Sequence, residues 1–351
     1  MNRPWLNKLR KVDPYIPGEQ SKNKNLIKLN ANENPYPPSP LVAEAIKNID
    51  TDKLRFYPDA NSNELKEALS NFYGVDKNQI FLGNGSDDVL ALSFMSFFNS
   101  DKPLLFPDIT YSFYKVWCDL LEIDYKTIPL DESFRINPKD YMGEKGGVII
   151  PNPNAPTGIG EGKDFIKELM NYSKDVIVII DEAYVDFGGY SSVELLKEYE
   201  NLLIVHTYSK SRSLAGMRIG VAIGNPILIS TLESVKNSYN SYTIDSIALA
   251  AGTASVKDID YFNNTMQKII KTREYTIKEL ENLGFSVCPS KANFVFATHS
   301  QINAKELFQS LKNDNIFIRY FDLPRINNYL RITIGTDNEM KTLIECIKKY
   351  I

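Results

Sequence analysis

The chain has 351 residues, 43% hydrophobic and 24% charged, and its 44 acidic and 40 basic side chains give a formal net charge of −4. That length is enough for about two domains with large cores, and the slight acidity argues against a general nucleic-acid or anionic-membrane surface. Two histidines outside any metal-ligand spacing and three scattered cysteines argue against a zinc enzyme, a Ser-His-Asp hydrolase and a disulfide scaffold.

The first residues, MNRPWLNKLRKVDPY, are basic with no apolar run behind them, so they do not read as a secretory signal. Pro4, Pro14, Pro17 and Gly18 punctuate a loop-like N-terminal arm over 1–28, and LIKLNANENPYPPSP (26–40) continues as turns. NSNELKEALSNFYG (61–74) predicts a helix, with Asn61 and Glu64 in capping-box spacing and Gly74 as the stop. FLGNGSDDVL (81–90) reads as strand, glycine turn and helix start. The first N–H groups of a helix point out unpaired, so Ser86 and Asp87 stand either at an anion site or at a merely well-capped helix. The turn lacks the GK[ST] of an ATP-binding loop and the third glycine of a dinucleotide fingerprint. VLALSFMSFF (89–98) is too short to span a membrane and predicts a buried helix.

Strands are expected at QIFLG (79–83), PLLFP (103–107), GVIIP (147–151), VIVIID (176–181), LLIVH (202–206) and GVAIG (220–224). Apolar runs separated by helical segments predict an α/β fold, a mostly parallel sheet sandwiched by helices, with a site at the carboxyl ends of the strands. The pattern then changes. A long helix over 257–283 ends at Gly284, short strands follow (FSVCP, NFVFATH, IFIRYF, YLRITIG), and helices are expected at 303–313 and 337–350. The expected organisation is an arm (1–28) free to pack with either domain, a large domain (29–245) and a smaller α+β domain (246–351).

HTYSKSRSLAGMRIG (206–220) is the most informative stretch. A buried strand empties into hydroxyls ending at Ser209-Lys210, with Arg218 following. An amine there suits a Schiff-base lysine beside an anion site, the plain alternative being a solvated lysine. VIVIIDEAYVDF (176–187) tips the choice, because it delivers Asp181 at a strand's carboxyl end and Tyr184 shortly after. A pyridinium needs a carboxylate partner and its phenolate oxygen needs a donor, so Lys210, Asp181 and Tyr184 form the protein half of pyridoxal phosphate chemistry. Ser209 and Arg218 suit the phosphate. Tyr111, in PDITYSFY, either lies on the ring or fills a core; Asn154, in PNPNAPTG, either donates to the ring oxygen or shapes a rigid turn. Arg331 sits inside the apolar strand YLRITIGT, where burying a guanidinium is costly without an anion, so it reads as a contact to a substrate carboxylate or phosphate, with Arg319 as a second.

Taken in order, GNGSDD, PDITY, NPNAPTG, DEAYVDF, TYSK and LRITIGT resemble the fold-type I pyridoxal-phosphate aminotransferases. LNANENPY (29–36) and RFYPD (55–59) resemble the branch of that family acting on histidinol phosphate, and the likeness runs from about residue 13 to the C-terminus. The resemblance implies that Lys210 bonds the cofactor and carries the proton from the substrate Cα. It implies that Asp181 keeps the pyridine nitrogen protonated, that Tyr184 and Asn154 bond the ring oxygen, and that Tyr111 stacks on the ring. It implies that the backbone of Ser86 and Asp87, with Ser209 and Arg218, holds the phosphate, and that Tyr57 reaches that phosphate in a neighbouring subunit, making a homodimer with shared sites. The resemblance further implies that Arg331, assisted by Arg319, takes the carboxylate of glutamate or the substrate phosphate, and that Tyr15 closes over the substrate. One departure leaves the Asn154 contact open: Ala155 stands where many relatives carry asparagine directly before Pro-Thr-Gly. A cytoplasmic enzyme of small-molecule substrates, with no nucleic-acid or membrane partner, is expected. An aromatic amino-acid aminotransferase and a threonine-phosphate decarboxylase are the rival readings with the same cofactor residues.

Overall fold

The computed structural model describes residues 3–15, 19 and 26–351; Pro17 and Gly18 of the expected arm lie outside the described residues. Its strands are β1 (Ile27–Lys28), β2 (Ile80–Asn84), β3 (Leu104–Pro107), β4 (Tyr125–Ile128), β5 (Gly147–Pro151), β6 (Val178–Asp181), β7 (Leu202–Thr207), β8 (Ile219–Gly224), β9 (Phe285–Val287), β10 (Phe294–His299), β11 (Ile316–Phe317), β12 (Arg319–Tyr320) and β13 (Tyr329–Thr333). Seven form one sheet in the order β2-β8-β7-β6-β5-β3-β4. Only β8 runs against its neighbours.

The central strands read as unbroken apolar runs because both faces of the sheet are covered. Side chains alternate along a strand, so Ile149 and Ile179 pack with the helices Ser86–Phe97 and Phe113–Leu121 on one face. Val148, Ile150, Val178 and Ile180 pack with the helix Lys163–Asn171 on the other. Each of these side chains is fully buried, which is worth about 1.5–3 kcal/mol apiece.

The helix expected over 61–74 runs Asn63–Tyr73 and stops at Gly74, whose φ of 66° suits a glycine. The predicted capping box does not form. Asp59 instead accepts from the backbone N–H groups of Asn61 and Asn63, at 3.0 and 2.8 Å, and so satisfies the first orphan donor of the helix, that of Asn63, from outside it.

The second sheet is antiparallel, in the order β12-β13-β10-β9, and its core is shared with the helices Ile259–Asn282, Ala304–Asn313 and Asp337–Ile347. IFIRYF does not make one strand. β11 pairs in parallel with β1, whereas β12 pairs with β13. Leu29, beyond β1, is buried in the core of this second sheet. The stretch that reads as turns in sequence is therefore tied to the C-terminal part of the chain.

Candidate active site

A cleft of about 310 Å³ opens at the carboxyl ends of the parallel strands, beneath the second sheet. Tyr15, Ser86, Asp87, Tyr111, Asp181, Tyr184, Ser209, Lys210, Arg218, Arg319 and Arg331 all line it. Asn154 and Tyr57 do not. The Asn154 amide donates to Ile109 O at 3.0 Å and Thr157 Oγ1 at 3.2 Å, and its oxygen accepts from Thr110 Oγ1 at 3.2 Å. Both ends of that side chain are spent, on the neighbouring 109–110 loop and on Thr157 of its own turn, and Ala155 and Pro156 form the cleft wall instead. Tyr57 is 80% exposed and stacks on Tyr242 at 4.4 Å, outside the cleft of its own chain.

One end of the cleft is an anion cradle. β2 leads through Gly85, at φ 87°, into the helix Ser86–Phe97, whose first N–H groups face the cleft unpaired by helix geometry. A Cβ on Gly85 would lie 2.4 Å from Arg218 Nη2, so glycine is what lets the guanidinium lie over the helix start. Gly220 has a related role: its Cβ would meet Gly85 C at 2.3 Å, so β8 can press against the turn. Arg218 donates to Ser209 Oγ at 3.4 Å and to Asp87 Oδ2 at 3.3 Å. Tyr111 is held across the cleft by its hydroxyl, which donates to Asp87 Oδ1 at 2.8 Å. Tyr15 stacks on the neighbouring Phe113 at 4.6 Å.

At the floor, Asp181 ends β6 in nearly complete burial. Tyr114 donates to its Oδ2 at 2.7 Å and the Ala183 N–H to its Oδ1 at 3.2 Å. Burial pushes the carboxyl up to about 6, with the two hydrogen bonds and His206 holding it down. His206, on the adjacent strand, lies 3.2 Å from Glu182 Oε2. Burial alone would depress its pKa, but the Glu182 carboxylate outweighs that and the net direction is upward.

The opposite wall belongs to residues 30–34. Lys210 Nζ donates to Ala31 O at 3.1 Å and lies 5.8 Å from the Tyr184 ring centre. The Asn34 amide holds the backbone oxygens of Lys210 and Ser211, at 3.1 and 3.2 Å. The Asn32 amide donates to Tyr184 Oη at 2.9 Å, and Tyr184 packs edge-on against Phe294. Arg331 donates to Asn30 O at 2.9 Å and sits between Phe294 and Phe321, each 5.5 Å away. Among the described residues its Nε is buried without a hydrogen-bond partner, and burial lowers the guanidinium pKa. An orphaned donor of this kind is completed by an anion. Tyr114, Asn32 and Asn34 are site residues that sequence reasoning missed. Asparagines at every second position, Asn30, Asn32 and Asn34 of LNANENPY, were the available signal.

The arrangement brings an amine, a buried carboxylate and a phenol around one space, with cationic groups at both ends. The fold and this site together define the class: the chain belongs to the aminotransferases of class I and II, whose family model matches residues 24–347. At the level of particular proteins, it is 50% identical to histidinol-phosphate aminotransferase of Clostridium botulinum (strain Okra / Type B1), over 100% of this chain and 99% of that one. The crystal structure of histidinol-phosphate aminotransferase from Clostridium acetobutylicum matches with a TM-score of 0.83 at 26% identity, over 93% of this chain and 99% of that one. That of the Sinorhizobium meliloti enzyme, in complex with pyridoxal-5'-phosphate, matches with a TM-score of 0.83 at 24% identity, over 93% and 92%.

Proposed function

We propose that the chain is a histidinol-phosphate aminotransferase. It moves an amino group from L-glutamate to imidazole acetol phosphate, giving 2-oxoglutarate and L-histidinol phosphate in L-histidine biosynthesis, with pyridoxal 5'-phosphate as cofactor. The observation that carries this reading is the meeting of Lys210, Asp181 and Tyr184 in a cleft with Arg218 at one end and Arg331 at the other. The cofactor fits the residues present: the Gly85 turn is a cradle that a Cβ would fill, and a buried carboxylate lies at the floor. When bound, the cofactor supplies an electron sink for charge developing at the substrate Cα.

The remaining work falls to side chains. The N–H groups of Ser86 and Asp87, with Ser209 and Arg218, bind the cofactor phosphate and fix the ring's position. Ionised Asp181 would keep a proton on the pyridine nitrogen. Tyr184 would donate to the ring oxygen, and Tyr111 would lie against the ring. Asn154 has no part in this reading, because its amide is already satisfied by Ile109 O and Thr157 Oγ1. The Lys210 amine would hold the cofactor and, once free of it, would take the proton from the substrate Cα and carry it for return.

Arg331, assisted by Arg319, binds whichever anion the substrate presents. Glutamate offers a carboxylate and histidinol phosphate a phosphate, and a guanidinium matches either in bidentate fashion. Tyr15 closes over the bound substrate and excludes water. A homodimer follows in the same reading: Tyr57, exposed beside Tyr242, reaches the phosphate of the neighbouring subunit. The two sheets with their helices act as a large cofactor-binding domain and a smaller domain closing on it, in the cytoplasm.

The test is an absorbance titration of the cofactor-loaded protein with L-histidinol phosphate, beside one with L-phenylalanine. Conversion by histidinol phosphate at low concentration, reversed by 2-oxoglutarate, is the expected result. Conversion by phenylalanine alone moves the substrate to the aromatic amino acids. Release of CO2 from threonine phosphate without need of 2-oxoglutarate makes the chain a decarboxylase.

A further inference from the structure

Asn32 occupies an unusual position for a polar residue. It is 1% exposed, its φ is 55°, and every polar group it owns is engaged. Its backbone N–H donates to Thr333 Oγ1 at 3.0 Å and its backbone oxygen accepts from Asn293 Nδ2 at 2.9 Å. Its side-chain Oδ1 accepts from Thr333 Oγ1 at 3.0 Å, and its Nδ2 donates to Tyr184 Oη at 2.9 Å. Thr333 is itself fixed, because its backbone N–H bonds Leu29 O at 3.0 Å.

These bonds can run in only one direction. Thr333 Oγ1 receives the Asn32 N–H, so its own proton is free to go to Asn32 Oδ1. Were the carboxamide reversed, Thr333 Oγ1 would face two N–H donors with its own proton stranded in a buried site, and Tyr184 would have to spend its proton on Asn32. The observed direction leaves Nδ2 toward Tyr184. An amide nitrogen only donates, so the Tyr184 oxygen accepts there and its proton remains for a further acceptor on the cleft side.

We infer that Thr333 and Asn32 are positioning residues that commit the Tyr184 hydroxyl to donating into the cleft, toward the ring oxygen of the cofactor. The inference rests on the functional reading above and deepens it. It also accounts for how the site works with Ala155 on the cleft wall and Asn154 turned away: one phenol, held as an obligate donor, serves where a carboxamide is missing. Arg331 lies two residues before Thr333 on the same strand, so the substrate-anion contact and the origin of this relay share one element.

A donor on the ring oxygen withdraws charge from it, so the nearby imine nitrogen, which Lys210 would supply when bonded to the cofactor's aldehyde carbon, would hold its proton less tightly. Losing the donor raises the pH midpoint of the cofactor's colour change. The experiment measures that midpoint in the loaded wild-type protein, Asn32→Ala, Thr333→Val, Thr333→Ser and Tyr184→Phe, and in Asn32→Ala combined with Tyr184→Phe. The expected result is an upward shift of about 0.5–1 pH unit in Asn32→Ala and in Thr333→Val, roughly the worth of one hydrogen bond. Thr333→Ser, which keeps the hydroxyl, retains the wild-type midpoint. Adding Asn32→Ala to Tyr184→Phe shifts nothing further, since the relay acts only through that hydroxyl. Unchanged midpoints in coloured Asn32→Ala and Thr333→Val overturn the inference alone, as does an equal shift from Asn32→Ala in the Tyr184→Phe background. A wild-type chain that never takes on the cofactor's colour overturns the functional reading and the inference together.

Discussion

The two ends of the cleft are built in opposite ways. The anion cradle around Gly85 is made of backbone, from a strand end, a glycine turn and a helix start that adjoin in sequence, with Arg218 and Ser209 laid over them. The wall opposite is made of side chains on residues 30–34 that bond to partners as far as 301 positions away. Local geometry suffices for the cradle, whereas the wall exists only once both ends of the chain have met. A site assembled from short motifs can be recognised from sequence; one assembled from long-range polar bonds cannot.

Substitutions at each part test that contrast. Lys210→Ala removes the one group both regions present to the substrate, and kcat for amino transfer should fall by on the order of 10³–10⁴-fold in a coupled assay, with the melting temperature nearly unchanged. Gly85→Ala strikes the cradle alone. Its Cβ would collide with Arg218 Nη2 at 2.4 Å, on a backbone at φ 87°, so cofactor affinity should weaken by about 10–100-fold in a fluorescence titration. Arg331→Lys strikes the wall alone, losing bidentate geometry while keeping the charge. It should raise KM for both glutamate and histidinol phosphate by about tenfold and leave cofactor affinity intact, a separation that equal losses in both measurements would contradict.

Asp181 gives the smallest effect and the clearest sign. Its folded pKa of about 6 lies above its ordinary 3.8, so the folded chain holds that proton more tightly than the unfolded one. The burial penalty is thus absent below about 3.8 and fully present above about 6. In the cofactor-free chain, Asp181→Asn should be stabilising by on the order of 1–3 kcal/mol above that upper pH and neutral at the lower one. Cofactor affinity in the unaltered chain should fall as the pH drops through about 6, where the carboxylate gains its proton.

Much of this architecture was legible beforehand, for physical reasons. The β-branched runs at 147–151, 176–181 and 202–206 required a sheet covered on both faces, and Asp181 and Lys210 had to emerge at the same edge because parallel strands end together. The turn at Gly85 was readable because a helix start advertises its own unpaired N–H groups. What escaped was non-local. Nothing near residue 114 says that its hydroxyl meets Asp181, 67 positions on, and nothing in LNANENPY says that Asn32 meets Tyr184. Asn154 shows the same limit: its motif was recognised, but nothing in it says that its amide meets Ile109, 45 positions back, as well as Thr157 in its own turn.

The pairing of β1 with β11, and of residues 29–32 with β13, also bears on the order of events during synthesis. The large sheet can close as soon as β8 has left the ribosome, because every strand in it ends at or before Gly224. The segment that steadies Lys210 and Tyr184 is made before all of them, yet it must wait for β13 at residues 329–333 before its partners exist. A nascent chain halted between those points would carry a folded sheet and a nearly finished anion cradle, but no competent lysine. Catalytic capacity would then arrive late and all at once, with the last strand to emerge.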